Sequence, residues 1–484
     1  MLTNMDWLQP GKPFPPASER ERINRYKENI MLFEGKHGQV FAEQLKRIQR
    51  DDASKTSYEI ILNWYKRYTK LFCDLLLSEP PKITTGKHGS PEQAKCDQIV
   101  HDNRLLVTLA EIVIDQIRLG VGLNKIRSDG KRAIIEGQSP TYWFPVVAPA
   151  NVKDTTHHVL AWIWYVWVDD TTKKYYLSVE IHEKGLVTNK VYSFDGNESG
   201  GTIGVVLPID EDGNISDGGE MEIVRETGVD EFLVIAANNL STTDRATGLD
   251  DYSDMESIII ELEVRIAQIS NILDKHASPN MYGGESNLEM DDSGNWVFKG
   301  GGKFFTVGEG EQPPGYITWD GALEAAYKQI EVLMEQLYIL TETSPAAFGQ
   351  LKSGLAESGS ALKRLLIAPL LKTARLRVSL DYLLKETIKR ASALEVAQGI
   401  NNPVLIKDVH VEWQDGLPND SQEAVQEEVQ LTTAGLISLE SSLQRLFGLQ
   451  GEALTQEVER IKTGQQSNSV IPPDNITLTD KGDD

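Results

Sequence analysis

Apolar residues fall at Met255, Ile259, Leu262, Ile266, Ile269 and Leu273, and again at Leu323, Ala326, Ile330, Leu333, Leu337 and Leu340. Steps of three and four alternate in both runs, the period of a helix that keeps one narrow stripe against a partner. The pattern predicts two helical arms with a glycine-rich insert, residues 277 to 318, at their tip. The insert has strand-like pieces at 296 to 298 and 304 to 307. Ser253 and Glu256 make a capping-box pattern at the start of the first arm. Two arms carrying a small module are mechanical architecture.

Elsewhere the period divides the chain. Residues 54 to 78 read as an amphipathic helix closed by Pro80 and Pro81, and a second helix opens at Ser90-Pro91 and closes near Gly120. After Gly120 the spacing alternates. Segments at 162 to 168, 175 to 182 and 187 to 194, separated by polar turns, predict an antiparallel meander. Residues 196 to 219 are rich in glycine and aspartate and read as a flexible excursion. A helical pattern runs from 360 to 398 with Pro369 expected to kink it. A strand at 404 to 413 follows, then two or three helices broken at Gly435 and at 448 to 451. Residues 1 to 19, proline-rich, and 464 to 484, polar, read as a flexible arm and a flexible tail.

At 484 residues the chain is long enough for several regions and a large core. Its 48 basic and 72 acidic residues give a net charge of −24, which argues against a surface that coats nucleic acid or anionic membrane. Two cysteines and the absence of a signal-like N-terminus lead to the expectation of a reducing compartment. The longest apolar run, 159 to 168, is too short to cross a bilayer and reads as a buried strand. No membrane partner is expected.

Candidate chemistry is sparse. Asp250, Asp251 and Asp254 could hold a divalent cation in a metal-dependent nucleic-acid hydrolase, but acidic residues at a helix start are more simply caps. His157 and His158 read as a surface pair. Gly300-Gly301-Gly302-Lys303 and the run from Gly200 to Gly204 miss the spacing of phosphate-binding loops. No metal, cofactor or catalytic residue is expected. One imbalance stands out: residues 359 to 390 carry eight basic side chains, Lys363, Arg364, Lys372, Arg375, Arg377, Lys385, Lys389 and Arg390, against Asp381 and Glu386. Their partner is either DNA phosphate or, the simpler reading, acidic groups of the same chain or a neighbouring copy. Lys352 sits apart on the small-residue loop GQLKSGLAES. A dimeric coiled-coil adaptor remains a third possibility for the arms.

The order of these segments resembles tailed-bacteriophage portal proteins of the siphophage type. The resemblance lies in ILNWYKRYTKLFCDLLLSEPPKI, NNLSTTDRATGLDDYSDMESIIIELEVRIAQISNILD, SPAAFGQLKSGLAESGSALKRLL and DGLPNDSQEAVQEEVQLTTAGLIS, spread over residues 20 to 463. It implies an α+β, mainly helical, multi-region subunit: wing (20–249), stem helices (250–276 and 319–344), clip (277–318), tunnel loop (345–358), kinked long helix and wing strand (359–413) and crown (414–463). It further implies a homo-oligomeric ring, usually of twelve subunits, at one capsid vertex of the virion, assembled in the host cytoplasm. Double-stranded DNA passes through it without sequence readout. Its partners are then the terminase large subunit, the head-tail adaptor, and capsid and scaffold proteins. Gln350, Lys352 and Ser353 become DNA-facing, Lys363 and Arg364 secondary basic contacts, and the two apolar stripes stem packing.

Overall fold

The computed structural model describes residues 1–42, 60–87, 89–277, 281–282, 288–290, 296–298, 310, 315–316, 323–350, 363–414, 421–449 and 451–468. It is 47% helix and 25% strand, the expected mainly helical α+β balance. The chain divides into two compact units, one of residues 1–350 and 366–416, the other of 351–365 and 417–484.

In the first unit the meander is real. Strands β5 (Trp143–Ala148), β6 (Asn151–Trp167), β7 (Lys173–Glu183), β8 (Leu186–Asn197) and β9 (Gly200–Leu207) pair in that order, all antiparallel, with β10 (Ile223–Glu226) also against β8. Asp169 closes the β6–β7 turn by accepting from the backbone N–H groups of Thr171 (2.9 Å) and Thr172 (2.8 Å). The stretch expected to be a flexible excursion instead contains β9. A Cβ on Gly201 would lie 2.2 Å from the Asp195 carbonyl oxygen, so glycine there serves close strand approach rather than freedom.

The expectation of a flexible N-terminal arm is also overturned. Strand β1 (Pro13–Phe14) pairs with Thr202 and Gly201 at the sheet edge, and Leu2, Trp7, Leu8 and Phe14 are buried. Trp7 and Phe14 lie 5.3 and 5.2 Å from the Phe144 ring. The prolines that suggested mobility fix an extended backbone suited to an edge strand.

A smaller sheet, in the order β11 (Val234–Asn238), β3 (Val121–Ser128) and β4 (Ala133–Gln138), packs against α5 (Leu105–Leu119). Around that helix gather α1 (Arg20–Glu34) with the four-residue α2 (His37–Val40), α3 (Trp64–Leu77) and α4 (Pro91–Asp102). The single helix expected from Ser90 to Gly120 is broken in two. Ser90 caps α4 as foreseen, accepting from the Gln93 N–H at 3.2 Å. Arg104, at φ +47°, turns the chain out of the helix, and the Asn103 side chain donates to the Ala133 carbonyl (3.2 Å) and accepts from the Ile135 N–H (3.0 Å) of β4. Helix α5 ends at Gly120 with φ +80°, where a Cβ would meet the Gly248 carbonyl oxygen at 2.6 Å. Helix α3 starts at Trp64 under an Asn63 cap that accepts from the Lys66 N–H at 3.1 Å. Residues 54 to 59 of its expected span lie outside the described residues.

The arms are α6 (Glu256–Ala277) and α7 (Leu323–Leu340). Between them β12 (Met281–Tyr282) pairs with β15 (Gly315–Tyr316), and β13 (Leu288–Met290) with β14 (Trp296–Phe298). The strand expected at 304 to 307 lies outside the described residues. The long helix, α8 (Ile367–Gln398), returns across the small sheet and buries Leu376, Leu380, Leu383, Leu384, Ile388 and Leu394. The helical run is interrupted at Leu366, φ −103°, three residues before Pro369, and α8 proper starts at Ile367. Pro369 stands in the first turn, where a helix N–H has no intrahelical acceptor to lose. Strand β16 (His410–Glu412) then pairs with β2 (Lys82–Thr84).

The second unit contains α9 (Ser421–Thr433), α10 (Leu439–Phe447) and α11 (Gly451–Asn468). Gly435 and Gly448 take left-handed conformations at the helix ends, as the sequence anticipates. Helix α11 runs to Asn468, past the point where a flexible tail was expected; residues 469 to 484 lie outside the described residues.

Candidate functional site

The paired stripe on the arms is partly as expected. Met255 just before α6, Ile259, Leu262 and Ile269 of α6 and Leu337 of α7 are buried, whereas Ile266, Leu323, Ala326, Ile330 and Leu333 are half-buried. Leu273 and Leu340 are exposed. Gln329 of α7 donates to Glu261 of α6 at 3.3 Å. A second apolar row went unread in the sequence: Val332 and Ile339, seven residues apart on α7, are 45% and 66% exposed. Their spacing was legible, but the i, i+7 pair is masked by the denser stripe on the other face.

The Asp cluster is committed to holding the first arm in place. Asp250 accepts from the backbone N–H groups of Tyr252 and Ser253, both at 3.0 Å, and from the Ser253 hydroxyl at 3.1 Å. The expected Ser253–Glu256 capping box does not form. Arg25 of α1 takes both side chains, donating to Glu256 at 2.7 Å and to Ser253 at 3.2 Å. Asp251 meets the Lys372 ammonium at 2.8 Å and accepts from Asn239 (3.0 Å) and the Tyr68 hydroxyl (3.3 Å). Burial raises its pKa against the opposing pull of Lys372, and the same burial, with Asp251 beside it, holds the Tyr68 phenol well above its ordinary value. Asp254 is exposed. Among the described residues no group of three His, Cys, Asp or Glu side chains could hold a metal ion.

Two further buried pairs join elements distant in the sequence, and local sequence gave no signal for either. His37 and Glu263 of α6 meet at 2.6 Å, and the same carboxylate accepts from the Leu62 N–H at 2.8 Å. Lys95 of α4 and Glu395 of α8 meet at 2.5 Å, with the ammonium also donating to the Asn401 carbonyl at 2.6 Å. The partners are brought together only by the fold.

The basic helix resolves the choice left open by its charge. Lys372 pairs with Asp251, Arg375 with Glu342, Lys385 with Asp381 at 2.6 Å, and Lys389 and Arg390 with Glu386 at 3.2 and 3.0 Å. Arg390 also donates to the Phe232 carbonyl at 2.7 Å, and Arg377 to that of Gln414. Lys372, Arg375, Arg377, Lys385, Lys389 and Arg390 are thus taken up within the chain. Lys363 and Arg364 are exposed in a helical turn at 363 to 365. Gln350 is exposed just beyond the turn Pro345–Phe348, its N–H on the Pro345 carbonyl at 3.0 Å. Lys352 and Ser353 lie outside the described residues. The site is an array of structural ion pairs with no described catalytic geometry.

The family described as phage portal protein, SPP1 Gp6-like, matches residues 16–470. The chain belongs to that family. It is therefore a phage portal protein, and the alternative of a metal-dependent hydrolase finds no support. Among solved structures, the portal chain is similar to one in the neck of an empty gene transfer agent particle computed with C6 symmetry. The identity is 11%, the TM-score 0.44, and the match covers 84% of this chain and 94% of that one. A chain from the virion of a native gene transfer agent particle matches at 10% identity and TM-score 0.43, over 80% and 89%. No curated protein matches the sequence. Among the described residues no helix is long and apolar enough to cross a membrane.

Proposed function

We propose that this portal protein closes into a ring of twelve copies at one capsid vertex, around a channel through which double-stranded DNA is packaged and ejected. The family match over residues 16–470 carries the reading. In it the first unit supplies wing, stem and clip, and the helices after 414 supply the crown. The clip, 277 to 318, docks the terminase large subunit and later the head-tail adaptor, and the outer surface meets capsid and scaffold proteins. Assembly takes place in the host cytoplasm. Gln350, Lys352 and Ser353 face the DNA, with Lys363 and Arg364 as secondary contacts.

Charge supports a channel that does not hold its cargo. Twelve copies at −24 each carry −288 formal charges, and six of the basic residues on or near the long helix are taken up internally. These six are not available to displace counterions from DNA and make it stick.

The exposed row on α7 supplies the test. Ile339→Glu places a charge on a residue that is 66% exposed in the single chain. The isolated subunit should melt within a degree or two of wild type, because surface changes of this kind cost about 0.5 kcal/mol or less. Ring formation, read by light scattering, should fall at least about tenfold, since a charge at an apolar contact costs on the order of 1–3 kcal/mol. Rings that form at wild-type yield would place this face outside the subunit contact.

A further inference from the structure

The apolar run from Val159 to Val168 was expected to be a buried strand, and only its first part is. Val159, Leu160 and Ala161 are buried, whereas Tyr165, Val166, Trp167 and Val168 are 38%, 47%, 54% and 64% exposed. The run carries no charge and no proline. Beyond Leu160 strand β6 is paired on one side only: its contacts with β5 end there, while those with β7 continue to Trp167. Over residues 161 to 167, about 23 Å of strand, every second backbone N–H and C=O faces outward with no partner among the described residues.

Open edges of this kind are normally blunted by lysine, proline or a bulge, because they template pairing with other chains. Here the edge is reinforced instead. Trp164 stacks on Tyr176 at 4.7 Å and donates to Ser178 at 2.8 Å. The Lys173 ammonium lies 3.8 Å from the Tyr165 ring centroid and 5.0 Å from that of Trp167, which holds both rings in place beside the edge. An aromatic, uncharged edge held in its strand conformation is preorganised for one kind of occupant, another extended backbone.

We propose that the edge of β6 from Ala161 to Trp167 is a docking strand that takes up an extended, uncharged, β-branched or aromatic segment of a different polypeptide in the particle. The choice of a different chain rests partly on the ring reading. Pairing of this edge with its own copy would be two-fold and could not repeat around a ring. A head-to-tail contact would need a second open edge of matching length, and the described residues offer none. The outer edge of β4 is capped by Asn103 and Glu395 and that of β5 by Leu2, while β1, Gly11 and Lys12 cover β9 as far as Ile203 and leave only residues 204 to 207. Strand β11 spans five residues, mostly buried, and β10 spans four and carries Arg225 and Glu226.

The test compares whole particles with isolated protein. Hydrogen exchange at residues 161 to 167 should show the outward amides exchanging about 100-fold more slowly in the particle. A benzoylphenylalanine placed at position 167 should, on illumination of particles, join to a chain of different sequence. Val166→Glu, a change at an exposed position, should leave rings intact by light scattering and abolish both signals. Equal exchange in particle and isolated protein, or adducts with copies of this chain alone, would overturn the proposal. Failure of the wild-type protein to form rings at all would count instead against the ring reading, so the two failures are distinguishable.

Discussion

Asp251→Ala is expected to lower the stability of the first unit by about 4 kcal/mol, the cost of leaving a buried ammonium without its counter-charge. The carboxylate joins three separate elements: Lys372 of the long helix at 2.8 Å, Asn239 after β11 at 3.0 Å and Tyr68 of α3 at 3.3 Å. Its removal strands the Lys372 charge, which lies near the Tyr68 and Phe72 rings. Replacing both partners, Asp251→Leu with Lys372→Met, should cost less than the single change, because no charge is then left behind. Urea denaturation of wild type, Asp251→Leu, Lys372→Met and the double variant reads this. Asp251→Ala also weighs the hydrolase alternative. A single change within 0.5 kcal/mol of wild type, accompanied by loss of a magnesium-dependent nuclease activity, would make the cluster a metal site instead of a brace.

The second large effect is expected with acid. His158 is sandwiched in the sheet, stacked on Trp143 at 5.8 Å and edge-on to Phe232 at 4.8 Å, with its Nδ1 accepting from the Trp143 indole N–H at 3.1 Å. Burial, reinforced by His182, Arg390 and His157, lowers its pKa from 6.5 to about 3. Above pH 6.5 the ring is neutral in both folded and unfolded chains. Below it the unfolded chain takes up a proton that the folded one refuses, so stability falls from pH 6.5 down to about 3, by up to about 5 kcal/mol. Glu180 extends the loss. Burial would raise its pKa, but His182 at 3.3 Å and Lys125 at 2.9 Å outweigh this and hold it at about 2, below its ordinary 4.5. Its contribution is complete above pH 4.5 and lost as pH falls towards 2. Thermal melts over a pH series should decline from 6.5 downward, and His158→Gln, which can still accept from Trp143, should flatten the upper part. A melting temperature constant between pH 7 and 4 would contradict the assignment.

The sequence made periodic features readable because periodicity is local. The arms, the meander, the Ser90 cap and the glycine stops at 435 and 448 all follow from residues within a turn or a strand of each other. What escaped it was long-range. Nothing near Lys95 announces Glu395, and nothing near His37 announces Glu263. The prolines of the N-terminal segment signal an extended chain but not the Phe144 and Phe194 rings that receive Phe14. Composition also misjudged exposure: the same uncharged run that suggested a buried strand leaves Trp167 and Val168 at the surface, because burial depends on which strand lies alongside. In the functional region the basic helix was visible as an imbalance; Asp381 and Glu386 stand one turn from their partners on that helix, while Asp251 and Glu342 reach it only through the fold.

Negative-stain images of the purified protein, with the mass taken by light scattering on the same sample, test the central claim most directly. The expected result is a closed ring with a central opening and a mass of about 650 kDa, twelve times the 53.9 kDa chain. A 53.9 kDa monomer at every salt concentration tried, with no ring in the images, would contradict it.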